Sequence, residues 1–181
     1  MIQVTLKSTG VEKRVKSGRW QDSRIPKIVD HDHRRTELVQ AALRIVVRSG
    51  LSGATMRDIA CEAGFANGAI KPYFQSKADL LLATYVHIYQ ATNTRVRRST
   101  RGLRGVEALE GFAREVLPVS PALREEAVVF LAFLGEVAQN PEHLQVSRSS
   151  MEQWRDWIRG WLTEAMHDGE VVADLDVDAQ A

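Results

Sequence analysis

Thr55-Met56-Arg57-Asp58-Ile59-Ala60-Cys61-Glu62-Ala63-Gly64-Phe65-Ala66-Asn67-Gly68-Ala69-Ile70-Lys71-Pro72-Tyr73-Phe74-Gln75-Ser76-Lys77 is the stretch whose reading decides the fold. Thr55 and Asp58 form a loose capping box: the hydroxyl takes an orphan backbone N–H and the carboxylate sits at the positive helix end. Ile59, Ala60 and Ala63 then share the inward face of a short helix that stops at Gly64. The spacing predicts a tight turn, Glu62 to Ala66, and a second short helix from about Asn67 to Phe74 with Ile70 and Phe74 inward. Ser76-Lys77-Ala78-Asp79 is a second capping box. Two helices joined by a short glycine-bearing turn cross steeply, as in a helix-turn-helix, and small residues at Ala60 and Ala63 permit the close crossing.

Working outward, Leu38, Ala41, Ala42 and Ile45 recur at i, i+3, i+4 and i+7, so a helix runs from Arg34 until Gly50, which suits the left-handed position past a helix end. Behind Ser76 a long helix carries Leu80, Leu81, Tyr85 and Ile88 and fades near 97–102. Further helices are expected over Leu103–Leu117, from Pro121 to about Gln139, and from Pro141 to about His167, with Gly169 as the stop. No strand and no repeat is visible. The fold class is therefore all-α: residues 1–33 a flexible basic arm or a start-site extension, 34–78 a three-helix unit of helix-turn-helix type, and 79–181 a second, helical domain.

Composition narrows the function. At 44% hydrophobic residues, the 181-residue chain is ordinary for a globular protein. No run approaches the roughly 18 apolar residues of a membrane span, and the N-terminus has no apolar signal region. Cys61, the single cysteine, excludes an internal disulfide, suits the cytoplasm, and reads as a small packing residue. Residues 1–77 hold 14 basic and 7 acidic residues, net +7; the remainder hold 10 and 16, net −6. A basic front and an acidic back point the front at a polyanion, against the alternative of chance clustering. His31-Asp32-His33 falls short of a metal ligand set. No nucleophile or acid–base constellation stands out, so an enzyme is the least favoured reading, and no cofactor is expected.

The stretch 35–81 resembles the TetR family of transcriptional regulators. The resemblance rests on Thr55 to Ala60, Glu62 to Ile70, the pair Tyr73-Phe74, Ser76-Lys77, and the preceding Ala41-Ala42 and Ser49-Gly50. It implies a recognition helix in the major groove of palindromic operator DNA, bound by a homodimer. Thr55 and Lys77 would meet phosphate; Ala66, Asn67, Gly68, Ala69, Lys71 and Tyr73 would lie on or beside the groove face; Arg34 and Arg35 would reach the DNA backbone or minor groove. Asn67 and Lys71 have the chemistry for base edges, toward adenine and guanine respectively. For Tyr73 the alternative is packing, and for Lys77 a solvated lysine. The chain departs from the family in having Ala66 where serine is usual, Lys71 where tyrosine is usual, and Pro72 inside the expected helix, where it removes a hydrogen bond.

In the family, the later helices bind an effector and make the dimer. Phe112-Ala113-Arg114-Glu115-Val116-Leu117-Pro118 and the Trp154/Trp157/Trp161 helix resemble a choline-responsive, BetI-like branch. Tyr85, His87, Tyr89, Phe112, Phe130, Phe133, Trp154 and Trp157 are the candidate effector-binding residues; tryptophan faces suit a cation, and the competing reading is plain core. Phe130, Phe133, Leu134 and Val137 make a second apolar surface. Asp174, Asp176 and Asp178 look like the start of a further helix, so the chain is expected either to stop short of the family's dimerisation helices or to have an unusual dimer interface. The expected function is a repressor that a small molecule releases from DNA by shifting its population of conformations. The runner-up is a ligand-binding or interaction protein that no longer reads DNA.

Overall fold

A computed structural model describes residues 31–181 except 67, 138, 139 and 173. Residues 1–30, most of the expected basic arm, lie outside the described residues, and so does Asn67. The described residues form helices and turns without a strand: α1 (His31–Gly53), α2 (Met56–Glu62), α3 (Lys77–Ser99), α4 (Gly105–Val116), α5 (Pro121–Val137), α6 (Pro141–His167) and α7 (Val177–Gln180). Among the described residues no helix is long and apolar enough to cross a membrane.

The first helix starts at His31, earlier than the apolar periodicity begins. Its opening turn is held by polar bonds: the Thr36 hydroxyl donates to the Asp32 carbonyl at 2.9 Å, and His33 and Arg34 both meet Glu37. Apolar spacing cannot register such a turn. At Gly50 φ is +69°, so the helix breaks where expected, and one more turn follows to Gly53. Thr55 then caps α2, its hydroxyl oxygen accepting from the Asp58 N–H at 3.1 Å while the hydroxyl donates to the Asp58 carboxylate at 2.6 Å. Ser76 and Asp79 complete a full reciprocal box at the head of α3.

The expected second helix of the motif is corrected to a run of turns. Its hydrogen bonds are short-range: Ala69 N–H to the Ala66 carbonyl, Lys71 to Gly68, Tyr73 to Ile70, and then Phe74 to Ile70. Gly68 sits at φ +93°, outside right-handed helical space, and Pro72 has no N–H to return to Gly68. Two residues within one turn of each other thus oppose a regular α-helix, yet Ile70 and Phe74 still point inward and are buried.

Leu38, Ile45, Ile59, Ile70, Phe74 and Leu80 form one buried cluster, each side chain stabilising the fold by about 1.5–3 kcal/mol. Val129 of α5 belongs to the same cluster, with Ala132 packed against it. The three-helix unit therefore shares its core with the C-terminal helices through α1 against α5. Farther along α3, Tyr85 stacks on Phe133 of α5 at 4.2 Å. Helix α4 lies across α6, with Phe112 edge-on to Trp154 and tilted against Trp161. Arg104, the residue capping α4, makes no side-chain capping bond, its guanidinium pairing with Asp168 instead; the Gly105 and Val106 N–H groups are taken by the carboxylates of Glu164 and Glu170.

Candidate nucleic-acid interface and effector cavity

Ala66, Gly68, Ala69 and Lys71 are exposed, in the stretch between the end of α2 and the capped start of α3. Helix N-termini such as those of α2 and α3 present orphan N–H groups and positive dipole ends, the usual seats for phosphate. Thr55 occupies one of these ends and Lys77 the other. The Lys77 ammonium is already hydrogen-bonded to the Leu51 carbonyl at 2.6 Å, tying α3 to the last turn of α1.

Tyr73 is half-buried: its ring meets Phe65 edge-on at 5.8 Å and His31 at 5.3 Å. The arginines expected to reach outward are engaged with the same aromatic group. Arg34 lies 5.1 Å over Phe65 and bonds Glu37. Arg35 lies 4.2 Å over Phe74 and donates to the Tyr73 carbonyl at 2.8 Å. On the other side of the motif, Glu62 bridges Arg44 and Arg48. The Arg44 hydrogen bond, with the Arg48 charge beside it, holds the Glu62 carboxyl below the usual carboxylate range. Cys61 is exposed rather than packed, because the helical rotation that turns Ile59 and Ala60 inward turns it out.

The effector candidates divide among four places. Phe130 and Trp154 line a cavity of about 150 Å³ between α3, α4, α5 and α6, together with Ile88, Val116, Glu115 and Glu126. Tyr89 and Phe112 back this wall by packing on Trp154. The Trp154 indole donates to Asn93 at 2.7 Å; Asn93 and the Tyr89 hydroxyl both donate to Gln153, so the ring is fixed in orientation. Tyr85 and Phe133 belong to the core instead. The Tyr85 hydroxyl is buried with Ser150 and Ser147 beside it but no hydrogen bond of good geometry among the described residues, and burial pushes its pKa up against their influence. Trp157 sits under the Arg97 guanidinium and beside Trp161. His87 lines a separate surface groove with Arg35 and Asp79, apart from the cavity.

Sequence reasoning missed the polar parts of this region. Asn93 and Gln153 are 60 positions apart, and Arg95 meets Glu115 and Glu126 from three different helices. Only the unusual burial of an asparagine on a helix otherwise facing core could have hinted at the first.

A glycine turn, two capped helix starts and an exposed segment ahead of the second, on a core shared with later helices, define a helix-turn-helix protein of the two-domain helical kind. Family models agree on both parts. The model for bacterial regulatory proteins of the TetR family matches residues 38–84, and that for the BetI-type transcriptional repressor C-terminal domain matches 105–181. The chain belongs to the TetR family. It is 30% identical over 110 residues to the HTH-type transcriptional regulator PksA of Bacillus subtilis, covering 60% of this chain and 54% of that protein. It is 29% identical over 144 residues to the HTH-type transcriptional regulator BetI of Burkholderia thailandensis, covering 80% and 60%. The chain thus spans between half and two thirds of these relatives' length. Among solved structures, a transcriptional regulator from Saccharomonospora viridis in complex with choline superposes with a TM-score of 0.76 at 25% identity, over 82% of this chain and 78% of that one.

Proposed function

We propose that the chain is a DNA-binding transcriptional repressor, which as a homodimer grips a palindromic operator and is released by a small-molecule effector. The observation that carries this is the row of exposed residues Ala66, Gly68, Ala69 and Lys71 between the end of α2 and the capped N-terminus of α3. Thr55 and Lys77 position the protein on phosphate; Lys71 and Asn67 read base edges; Ala66, Gly68 and Ala69 keep the approach close. The test is selection from a randomised double-stranded DNA pool at near-physiological salt, with the bound fraction sequenced. A palindromic motif that blurs in Asn67→Ala/Lys71→Ala is the expected result; no enrichment from a dimeric protein refutes it.

The effector seat is the cavity that α3, α4, α5 and α6 enclose with Phe130 and Trp154 in its wall. At about 150 Å³ it takes a molecule about the size of benzene. Aromatic faces from Phe130 and Trp154 and carboxylates from Glu115 and Glu126 suit a small organic cation. The choline complex of the Saccharomonospora neighbour supports that class of ligand.

One observation favours a second reading, a ligand-binding protein that does not read DNA. The recognition segment is a run of turns, which gives a groove reader less rigidity than a helix. A shallow dependence of DNA affinity on salt would be its signature, since phosphate contacts impose a steep one.

A further inference from the structure

The cavity wall contains an internal cation. Arg95 of α3 meets Glu126 of α5 through two N–H groups, Nη1 to Oε1 at 3.1 Å and Nη2 to Oε2 at 2.7 Å. Its Nε donates to Glu115 of α4 at 3.1 Å, and Nη2 also donates to the Thr92 hydroxyl. All three charged side chains are only about one-quarter exposed: 25% for Arg95, 24% for Glu115 and 26% for Glu126. Burial works against the guanidinium charge, and the two carboxylates outweigh it, so the arginine stays firmly protonated. Glu115 and Glu126 line the cavity directly, whereas Arg95 stands behind them.

The charge count has a consequence. Two carboxylates facing one guanidinium leave one negative charge beside a cavity otherwise walled by apolar and aromatic groups. Charges this poorly hydrated interact much more strongly than they do in water. The bidentate fork is spent on Glu126, leaving Glu115 with the single, weaker link.

Resting on the cationic-effector reading above, we infer that Arg95 determines the charge selectivity of the effector cavity by competing, as a built-in cation, for the carboxylates that an incoming monocation would use. A positioning residue of this kind holds effector affinity down. Glu115 is the carboxylate that meets the ligand.

The sign of the effect separates this from a structural role. Arg95→Gln keeps hydrogen-bonding capacity but leaves two uncompensated carboxylates, so tetramethylammonium should bind at least tenfold more tightly, with the gain shrinking at high salt. Glu115→Gln leaves a neutral site and should bind at least tenfold more weakly. Arg95→Lys, which keeps the charge, should stay within about threefold of wild type. The measurement is isothermal titration calorimetry with tetramethylammonium chloride on the whole chain, with circular dichroism as the check on folding. Should Arg95→Gln fail to fold, Arg95→Gln/Glu126→Gln keeps the original net charge and frees Glu115; it should bind no more weakly than wild type. Unchanged or weaker binding by folded Arg95→Gln, or weaker binding by the double variant, overturns the inference and leaves the effector reading standing. Absence of tetramethylammonium binding to the wild type overturns both.

Discussion

The Lys77 ammonium donates to the Leu51 carbonyl at 2.6 Å, so the lysine expected at phosphate also ties the recognition unit to α1. An ammonium has three N–H donors and this bond uses one, leaving the side chain able to serve phosphate from the same place. Lys77→Ala should therefore lower both melting temperature and DNA affinity. The slope of log affinity against log salt should become shallower by about one, the value of a single phosphate contact. Anisotropy titrations across a salt series read this directly. A lower melting temperature with an unchanged slope would reduce Lys77 to a structural tie.

Gly68 at φ +93° makes a prediction with its own control. No neighbouring atom would obstruct an added Cβ there, so the cost of Gly68→Ala is conformational alone, about 1–2 kcal/mol. Gly160 lies inside α6 with equally open space and no positive φ, so Gly160→Ala should stabilise by about 0.5–1 kcal/mol. Chemical denaturation of both variants checks the pair. Equal effects from the two would mean that the backbone at Gly68 is not the constraint it appears in the turn geometry.

The contrast between these glycines shows how far the sequence was legible. Helix existence and most ends followed from local signals: Gly50 and Gly169 do take positive φ, and Ser76 and Asp79 do form their box. The recognition segment was misread because inward Ile70 and Phe74 satisfy a helical spacing even when a turn carries them. Apolar period reports which side chains are buried, not the hydrogen bonds between them. The site was legible in part for a related reason. Phe130 and Trp154 announced themselves as large apolar residues and do line the cavity. Tyr85 and His87 carried the same kind of signal yet face the core and another groove. The ion cluster of Arg95 was invisible, since its partners become neighbours only when α3, α4 and α5 pack.

Tyr85 offers a test of its placement. Its hydroxyl is buried with Ser147 and Ser150 beside it but no hydrogen bond of good geometry among the described residues, and a buried hydroxyl left unsatisfied costs up to about 1–3 kcal/mol. Tyr85→Phe should accordingly stabilise the protein by about 1 kcal/mol at neutral pH, with effector affinity unchanged. The pH dependence has a definite sign. Burial raises the phenol's pKa in the folded state above the ordinary value of 10.0. Below that pH the phenol is neutral in both states. Above it the unfolded chain ionises first and gains stability, so wild type should lose ground to Tyr85→Phe as pH rises past about 10. Urea midpoints from pH 7 to 11 measure the gap; a constant gap would place the hydroxyl in contact with solvent.

Arg35 separates positioning from contact on the DNA face. Its guanidinium lies over Phe74 and holds the Tyr73 carbonyl, so α1 fastens the end of the segment proposed to read bases. A phosphate contact needs only a positive charge at about the right place, which lysine supplies. A stacked, hydrogen-bonding plate needs arginine, because an ammonium cannot lie flat on the ring while donating sideways to a carbonyl. Arg35→Lys should therefore weaken selected DNA about three- to tenfold, with the salt slope unchanged because the charge is kept, and lose about 0.5–1 kcal/mol of stability with the stacking. Arg35→Met should do both and leave the slope equally unmoved. If instead Arg35→Lys binds like wild type while Arg35→Met flattens the slope by about one, the guanidinium leaves Tyr73 on binding and meets the DNA backbone itself.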